Sequence, residues 1–145
     1  MLFAKPIGIT GYASGMSVAC ERVVDLPATA AAAGMARREL AATPGIGGKL
    51  GYKALLMASE LIAVYVQNVE PDGVAKVRLS IAVSPQRVRI EVGGGAPAAS
   101  PDVLLKSRET PSLGGMGLQI VDRMADAWGV YDADESAIWF ELART

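Results

Sequence analysis

Apolar and polar residues alternate along two neighbouring segments of the chain. Residues 74–84 and 86–92 follow a period of two, which is the period of a β-strand with one buried face. Their apolar positions are Val77, Leu79, Ile81, Val83, Val88, Ile90 and Val92. Because the two segments meet at a short proline–glutamine junction, they predict an antiparallel hairpin with one face covered and one polar face.

Three other segments have the spacing or composition of helices. A proline in the first turn and an alanine-rich body predict a helix over Pro27–Thr43. Between Lys49 and Val69, apolar residues recur with helical spacing around much of the circumference, so this long helix should pack on more than one side. A third helix is expected over Met116–Trp128. Its apolar face would carry Leu118, Val121, Ala125 and Trp128.

The remaining strands complete the expected architecture. Val18–Leu26 reads as a strand, and two short strands should flank the turn Asp132–Ser136. Helices and antiparallel strands in this order predict an α+β fold, a two-layer α/β sandwich with a mostly antiparallel sheet and helices on one face. We expect a flexible leader over residues 1–17, a single domain over 18–145 and, within it, a long loop over about 93–115.

Composition and charge remove several classes of function. The chain has 145 residues, of which 51% are hydrophobic, enough for one domain with a sizeable core. Fourteen basic against fifteen acidic residues give a net charge of −1, so no nucleic-acid partner is expected. The absence of histidine excludes His-based catalysis, and the single cysteine, Cys20, excludes an internal disulfide. We expect a cytoplasmic protein with no membrane partner, since no apolar run reaches about 18 residues.

The most informative stretch for chemistry is the glycine-rich junction before the third predicted helix. Gly114, Gly115 and Gly117 lie where the long loop passes into that helix. Glycines at a helix N-terminus let backbone N–H groups approach an anion, and the helix dipole favours negative charge there. The stretch lacks the Gly-Lys-Ser/Thr of a P-loop and the third glycine of a dinucleotide fingerprint. A plain loop-to-helix junction is the alternative to an anion site.

Together with its neighbours, this junction resembles the GHKL (Bergerat-type) ATPase family. The pattern Gly-x-Gly-Leu-x-Ile-Val, which contains Gly115, Gly117 and Leu118, follows a hairpin and a helix that carries Ser-Glu-Leu. The nearest branch is the small anti-sigma factors and switch-protein serine kinases of bacteria. The resemblance covers about residues 23–142. It implies an α/β sandwich that binds ATP and Mg²⁺ between helices and sheet, under a lid formed by the long loop.

The helix motif of that family is incomplete in this chain. The family carries Glu-Leu-x-x-Asn, in which the glutamate is the catalytic base and the asparagine binds Mg²⁺. Glu60 and Leu61 match this motif, but Val64 occupies the asparagine position. Valine offers no oxygen to a cation that requires oxygen ligands. Asn68 follows one helical turn later, about 6 Å along the same face, and is the alternative ligand. No metal ligand is assigned, and Glu60 would be catalytic only in an active enzyme.

The motif that reads the adenine base is also incomplete. In the family, the aspartate of Asp-x-Gly-x-Gly accepts a hydrogen bond from the adenine amino group. Gly94 takes the aspartate position here, and Ala96 and Ala98 replace the two glycines. A buried hydrogen bond left unmade costs about 1–3 kcal/mol, so ATP binding should be weakened. Of the nucleotide motifs, only Gly-x-Gly-Leu is kept.

These departures favour a regulatory protein-binding domain in which ATP binding is weak or lost and catalysis is inefficient. The resemblance implies a sigma factor or an antagonist-like protein as partner, and it allows a homodimer. One alternative is an active Mg-ATP-dependent protein-serine kinase that acts on an anti-sigma antagonist, with Glu60 as base. Another is a phosphotransfer adaptor with a pseudo-ATPase body, although no histidine is present to carry the phosphoryl group. An unrelated α+β domain is the last alternative.

Overall fold

Five strands and three helices make up the described part of the chain. The computed structural model describes residues 20–67, 75–94, 117–132 and 136–144. The strands are β1 (Cys20–Pro27), β2 (Lys76–Val83), β3 (Arg87–Gly94), β4 (Ala127–Asp132) and β5 (Ser136–Ala143). The helices are α1 (Ala32–Ala41) and α2 (Gly48–Gln67), both between β1 and β2, and α3 (Gly117–Met124), between β3 and β4.

All five strands form one antiparallel sheet in the order β1-β2-β3-β5-β4. β2 and β3 form the predicted hairpin, in which Ile81 lies opposite Ile90. β5 lies between β3 and β4, so that Phe140 is opposite Ile90 on one side and opposite Trp128 on the other. The predicted fold class is confirmed, because the sheet is antiparallel and the helices form a separate layer.

The helices pack on one face of the sheet, which we call the inner face. Strand residues on this face are apolar and at most 1% exposed at Leu26, Leu79, Ile81, Ile90, Val92, Ile138 and Phe140. From α2, the fully buried side chains include Met57, Leu61, Ile62 and Tyr65. α2 packs against α1 and α3 as well as against the sheet, as its wide apolar surface predicted. Burying each large apolar side chain contributes about 1.5–3 kcal/mol, which makes this layer contact the main source of stability.

The predicted start of the first helix is wrong. Pro27 is the last residue of β1 and pairs with Lys76, whereas α1 begins only at Ala32. Proline is tolerated at this place because β1 is an edge strand. In the turn that follows, the Thr29 Oγ1 accepts the Ala31 N–H at 3.3 Å. This side-chain bond stabilises a turn in place of a first helical turn.

The predicted end of the third helix is also wrong. α3 ends at Met124, and Trp128 belongs to β4. The Trp128 Nε1–H donates to the Asp122 carboxylate at 3.0 Å, and the Asp126 N–H donates to the Glu141 carbonyl at 2.9 Å. These bonds turn the chain from helix to strand within two residues. Trp128 still reaches the core with 5% exposure, so its helical spacing from the apolar residues of α3 was coincidental.

The opposite face of the sheet, which we call the outer face, is not the uncovered polar face that the alternation predicts. Arg89 and Glu91 are only 2% and 3% exposed. The Arg89 Nε donates to Glu91 Oε2 at 3.3 Å, and its Nη1 donates to Glu141 Oε2 at 3.2 Å. The guanidinium carbon lies 4.1 Å from the centre of the Trp139 ring. These charges are tolerated in a buried position because each is paired with an opposite charge.

Several predicted segments reach beyond the described residues. Gly93 and Gly94 belong to β3, so these two residues are not part of the loop predicted over 93–115. The rest of that loop, the leader predicted over 1–17 and Asn68 lie outside the described residues.

Candidate nucleotide-binding site

The connections of the fold bring the predicted nucleotide residues toward one end of the sheet. α2 begins beside Arg144, which donates to the Ser84 carbonyl in the β2–β3 turn at 2.7 Å. The last turn of α2 lines a cavity with Thr29, which follows the other end of β1. β3 finishes at that same end with Gly94. α3 ends toward the opposite end of the sheet, because the chain after α3 enters β4 opposite the last residues of β5, which pair with the start of β3. The glycine start of α3 is therefore the end of the helix that is farther from the β2–β3 turn.

Glu60 and Val64 lie one turn apart in the second half of α2. Residues four apart share a helix face, so the two positions are neighbours. Glu60 is half-buried, whereas Val64 is only 1% exposed and belongs to the hydrophobic core. The position that would hold a magnesium ligand is therefore apolar and closed to water. Its valine packs against core residues and offers nothing to a cation.

Gly94 is the last residue of β3 and pairs with Val77 of β2. It occupies the place where the resemblance implies an adenine-reading aspartate. Its partner in the strand ladder is Val77, and the preceding residue, Gly93, lies between Arg78 and Ala137. None of these four residue types carries a side-chain hydrogen-bond acceptor that could replace the missing carboxylate.

The glycine-rich junction leads into α3, which begins at Gly117. Leu118 follows in its first turn, while Gly115 lies outside the described residues. Ile120 and Val121 are 7% and 0% exposed and anchor α3 in the core. The helix packs against α2. The binding roles of Gly115, Gly117 and Leu118 remain predictions.

Tyr65, next to Val64 in α2, is a buried ionisable residue beside the position of the family's metal ligand. Its side chain is completely buried, and burial raises the pKa of the phenol well above the ordinary value of 10. The phenol therefore stays protonated at any physiological pH. A protonated phenol cannot act as a base.

The residues present do not fit Mg-ATP at two of the three family positions. Val64 cannot bind the metal, and Gly94 cannot pair with adenine. Across the described ranges, no group of three or more acidic or cysteine side chains is arranged to hold a metal ion.

Two polar groupings in the structure have no counterpart in the sequence-based expectations. One is the Arg89, Glu91 and Glu141 cluster on the outer face. The other is a cavity between the Gly45–Lys49 turn and Arg144. The sequence feature that could have indicated the cavity is the pattern Gly-x-Gly-Gly-Lys, residues 45–49, at the start of α2. However, the approach of Arg144 depends on the pairing of β5, which no local pattern reveals.

No protein-family model matches the sequence, and no curated protein is significantly similar to it. The likeness to GHKL domains therefore rests on the sequence motifs. Among the helices of the described ranges, none is both long and apolar enough to cross a membrane.

Proposed function

We propose that this chain is a regulatory protein-binding domain of the GHKL type, nearest the bacterial anti-sigma factors, in which ATP binding is weak or lost. Its partner would be a sigma factor or an antagonist-like protein, and it would act in the cytoplasm. The domain would regulate its partner by binding to it, without efficient catalysis.

The observation that carries this proposal is the burial of Val64. A helix that binds Mg²⁺ needs an oxygen donor facing the nucleotide at this position. Val64 is 1% exposed and packs into the hydrophobic core, one turn from the half-buried Glu60. Phosphoryl transfer depends mainly on positioning and on metal-assisted charge neutralisation. Glu60 alone therefore cannot sustain an efficient kinase reaction.

The retained architecture supports the binding half of the proposal. The antiparallel sheet, the long α2 and the glycine start of α3 are all present, while Gly94 and Val64 occupy the positions of the family's adenine- and metal-binding side chains. A protein that has lost its nucleotide contacts but kept its framework still offers a rigid surface to a partner.

Isothermal titration with ATP and ADP, with and without Mg²⁺, tests the loss of nucleotide binding. We expect no magnesium-dependent binding with a Kd below about 1 mM. Micromolar affinity that requires magnesium would overturn the proposal and favour the serine kinase. A kinase assay on Glu60→Ala against an anti-sigma antagonist would then follow.

Two variants make this test sharper. Val64→Asn combined with Gly94→Asp restores both family side chains and should raise ATP affinity if the chain descends from a nucleotide-binding domain. Val66→Asn, at a half-buried position elsewhere on α2, is the matched control and should leave affinity unchanged. Equal responses of the two would argue against a nucleotide site on this helix.

Partner binding is tested separately by sedimentation of the purified chain with a purified sigma factor. A complex of defined stoichiometry is expected, and the same experiment on the chain alone reports whether it dimerises. A chain that forms no complex with any sigma factor or antagonist of its source organism would contradict the proposal.

A further inference from the structure

A polar cavity lies at the other end of α2, remote from the predicted nucleotide residues. Its volume is about 320 Å³, and it is lined by Gly45, Gly47, Lys49, Leu50, Ala143 and Arg144. This volume is at the lower end of the range of about 300–1,000 Å³ that is typical of small-molecule sites. Glu60 is twelve residues from Gly48, which corresponds to about 18 Å along the helix. The cavity is thus a separate feature.

Both ionisable side chains that line the cavity are cationic. Lys49 has no ion pair with a carboxylate in the described residues, and neither has Arg144. The Asp126 carboxylate accepts a hydrogen bond from the backbone N–H of Ala143, a lining residue, at 2.7 Å. Asp126 does not itself line the cavity. Two uncompensated positive charges in one concave site create a potential that attracts a compact anion.

The guanidinium of Arg144 is held in place before any ligand arrives. Its Nη1 donates to the Ser84 carbonyl at 2.7 Å, and its backbone N–H donates to the Gln86 carbonyl at 2.8 Å. These bonds anchor Arg144 to the β2–β3 turn. Its Nη2 lies 3.5 Å from the point where a side chain at Gly45 would begin. A pre-positioned guanidinium loses little entropy on binding an oxyanion, which makes its hydrogen bonds more effective.

The glycines of the turn bring backbone close to the same space. Gly45 has a φ of +92°, and a Cβ there would lie 2.8 Å from Val83 Cγ1, so another residue would be excluded. Gly48 has a φ of +63° at the start of α2. The first described hydrogen bond of the helix runs from the Gly51 N–H to the Gly47 carbonyl at 3.0 Å. The amides of residues 48–50 therefore have no intrahelical acceptor and add donors beside the two cations.

We propose that this cavity binds a dianionic phosphate group, either as inorganic phosphate or as a small phosphate monoester. Lys49 supplies the positive charge of an exposed ammonium group, and Arg144 supplies the N–H donors of an anchored guanidinium. The Gly45–Gly48 backbone, which has no bulky side chains, allows the phosphate oxygens to come close to its amides. The apolar Leu50 and Ala143 leave room for a small carrier of the phosphate. This site is independent of the proposed regulatory function and of adenine recognition.

Titration of ¹⁵N-labelled protein by NMR tests the proposal, with inorganic phosphate and O-phospho-L-serine as probes and sodium acetate at matched ionic strength as reference. We expect saturable shifts confined to the amides of residues 45–50 and 143–144, with half-saturation at about 1 mM or below. Tighter binding of phosphoserine would identify the natural ligand as an ester, and tighter binding of phosphate would identify it as the free ion.

Three variants test whether the two cations cause the binding. Lys49→Gln and Arg144→Gln should each raise the Kd about tenfold or more, because each removes a charge-assisted hydrogen bond. Lys53→Gln, an exposed position one turn further along α2 that does not line the cavity, is the matched control and should change the Kd less than about twofold. Lys49 is exposed, so its variant tests the proposal even if Arg144→Gln destabilises the fold.

Three results would overturn the proposal: no saturation by about 10 mM, equal shifts with acetate, or an equal effect of Lys53→Gln. Because neither probe contains adenine and no magnesium is added, these results are separate from the outcome of the ATP titration.

Discussion

The two faces of the sheet are buried by opposite kinds of chemistry. The inner face is entirely apolar at its centre, where Ile90 and Phe140 lie opposite each other with no measurable exposure. The outer face has Arg89 at its centre, 2% exposed, between two glutamates and against an indole ring. Both faces of β3 are therefore shielded from water, but by different interactions.

This contrast shows where stability should be sensitive to shape and where it should be sensitive to charge. Apolar contacts lose free energy in proportion to the atoms removed and the cavity left behind. A buried ion pair behaves differently, since removal of one partner leaves the other charge buried without compensation. Substitutions should therefore have their largest effect on the inner face and their smallest at the exposed edge of the outer face.

The largest effect is expected on the inner face. Phe140→Ala should lower the free energy of unfolding by about 3–5 kcal/mol, because it removes a fully buried ring at the junction of β3, β4 and β5. Urea unfolding followed by circular dichroism measures the change. Val23→Ala, at a 49% exposed position, is the control and should stay within about 0.5 kcal/mol. A loss below about 1 kcal/mol for Phe140→Ala would mean that this face is loosely packed.

On the outer face, Arg89→Met should cost about 3 kcal/mol, because Glu91 and Glu141 lose their common partner. The same urea titration measures it. The double variant Arg89→Met with Glu91→Leu should recover most of the loss, since it replaces the buried pair by apolar groups of similar size. If Arg89→Met alone is as stable as the natural chain, water reaches the Arg89 cluster in solution. The outer face would then not be a buried charged face, and the contrast with the inner face would fail.

The inner face was predictable from sequence, whereas the outer face was not. A period of two at Val88, Ile90 and Val92 is sufficient to assign the buried face of β3. The same period places Arg89 and Glu91 on the other face, where charges are normally solvated. Their burial depends on β5 pairing with β3, which brings Glu141 and Trp139 alongside, and this long-range pairing leaves no local signal.

A smaller effect is expected where a glycine of β4 packs directly against an indole ring on the outer face. Gly129 lies opposite Trp139, and a Cβ there would come within 2.7 Å of the indole Cζ2. Gly129→Ala should therefore destabilise by about 1–3 kcal/mol through overpacking. Gly34→Ala in α1 is the contrast, with a nearest contact of 3.6 Å. It should stabilise by up to about 1 kcal/mol by removing a flexible residue from a helix. Thermal unfolding that shifts both variants in the same direction would contradict this packing argument.

The smallest effect lies at the edge of the outer face. Arg78 donates to the Asp25 carboxylate at 2.9 Å, and this hydrogen bond lowers the pKa of Asp25 below its ordinary value of 3.8. A depressed pKa in the folded state contributes stability above pH 3.8, and this contribution is lost as the pH falls through the folded pKa. Because both side chains are more than one-third exposed, the pair should contribute less than about 1 kcal/mol.

Comparison of Asp25→Asn with the natural chain by urea unfolding checks this at neutral pH and near pH 2. The small difference should be present at neutral pH, vanish in acid and shrink with added salt. A difference that persists near pH 2 would show that Asp25 acts through packing and not through its charge.

As with the two faces of the sheet, one candidate site could be predicted from the sequence and the other could not. The glycine start of α3 and the position of Glu60 could be assigned from sequence, because motif and helical spacing are local. The burial of Val64 could not be assigned in this way, because it depends on how α2 packs against the other elements. The cavity at Lys49 could not be assigned, because Arg144 reaches it only through the register of β5 with β3.

The placement of β5 between β3 and β4 determines the order in which the sheet can assemble. β1, β2 and β3 can pair as soon as α1 and α2 have formed, whereas β4 joins only through β5. We expect the β4–β5 hairpin to become stable only when it docks, because an isolated pair of strands is marginally stable in water and β5 must complete the bonds of β3. Closing the connection between β3 and α3 costs free energy only with the logarithm of its length, about 0.6 kcal/mol per doubling. Evolution could therefore lengthen or shorten that connection freely while the docking step stays the same.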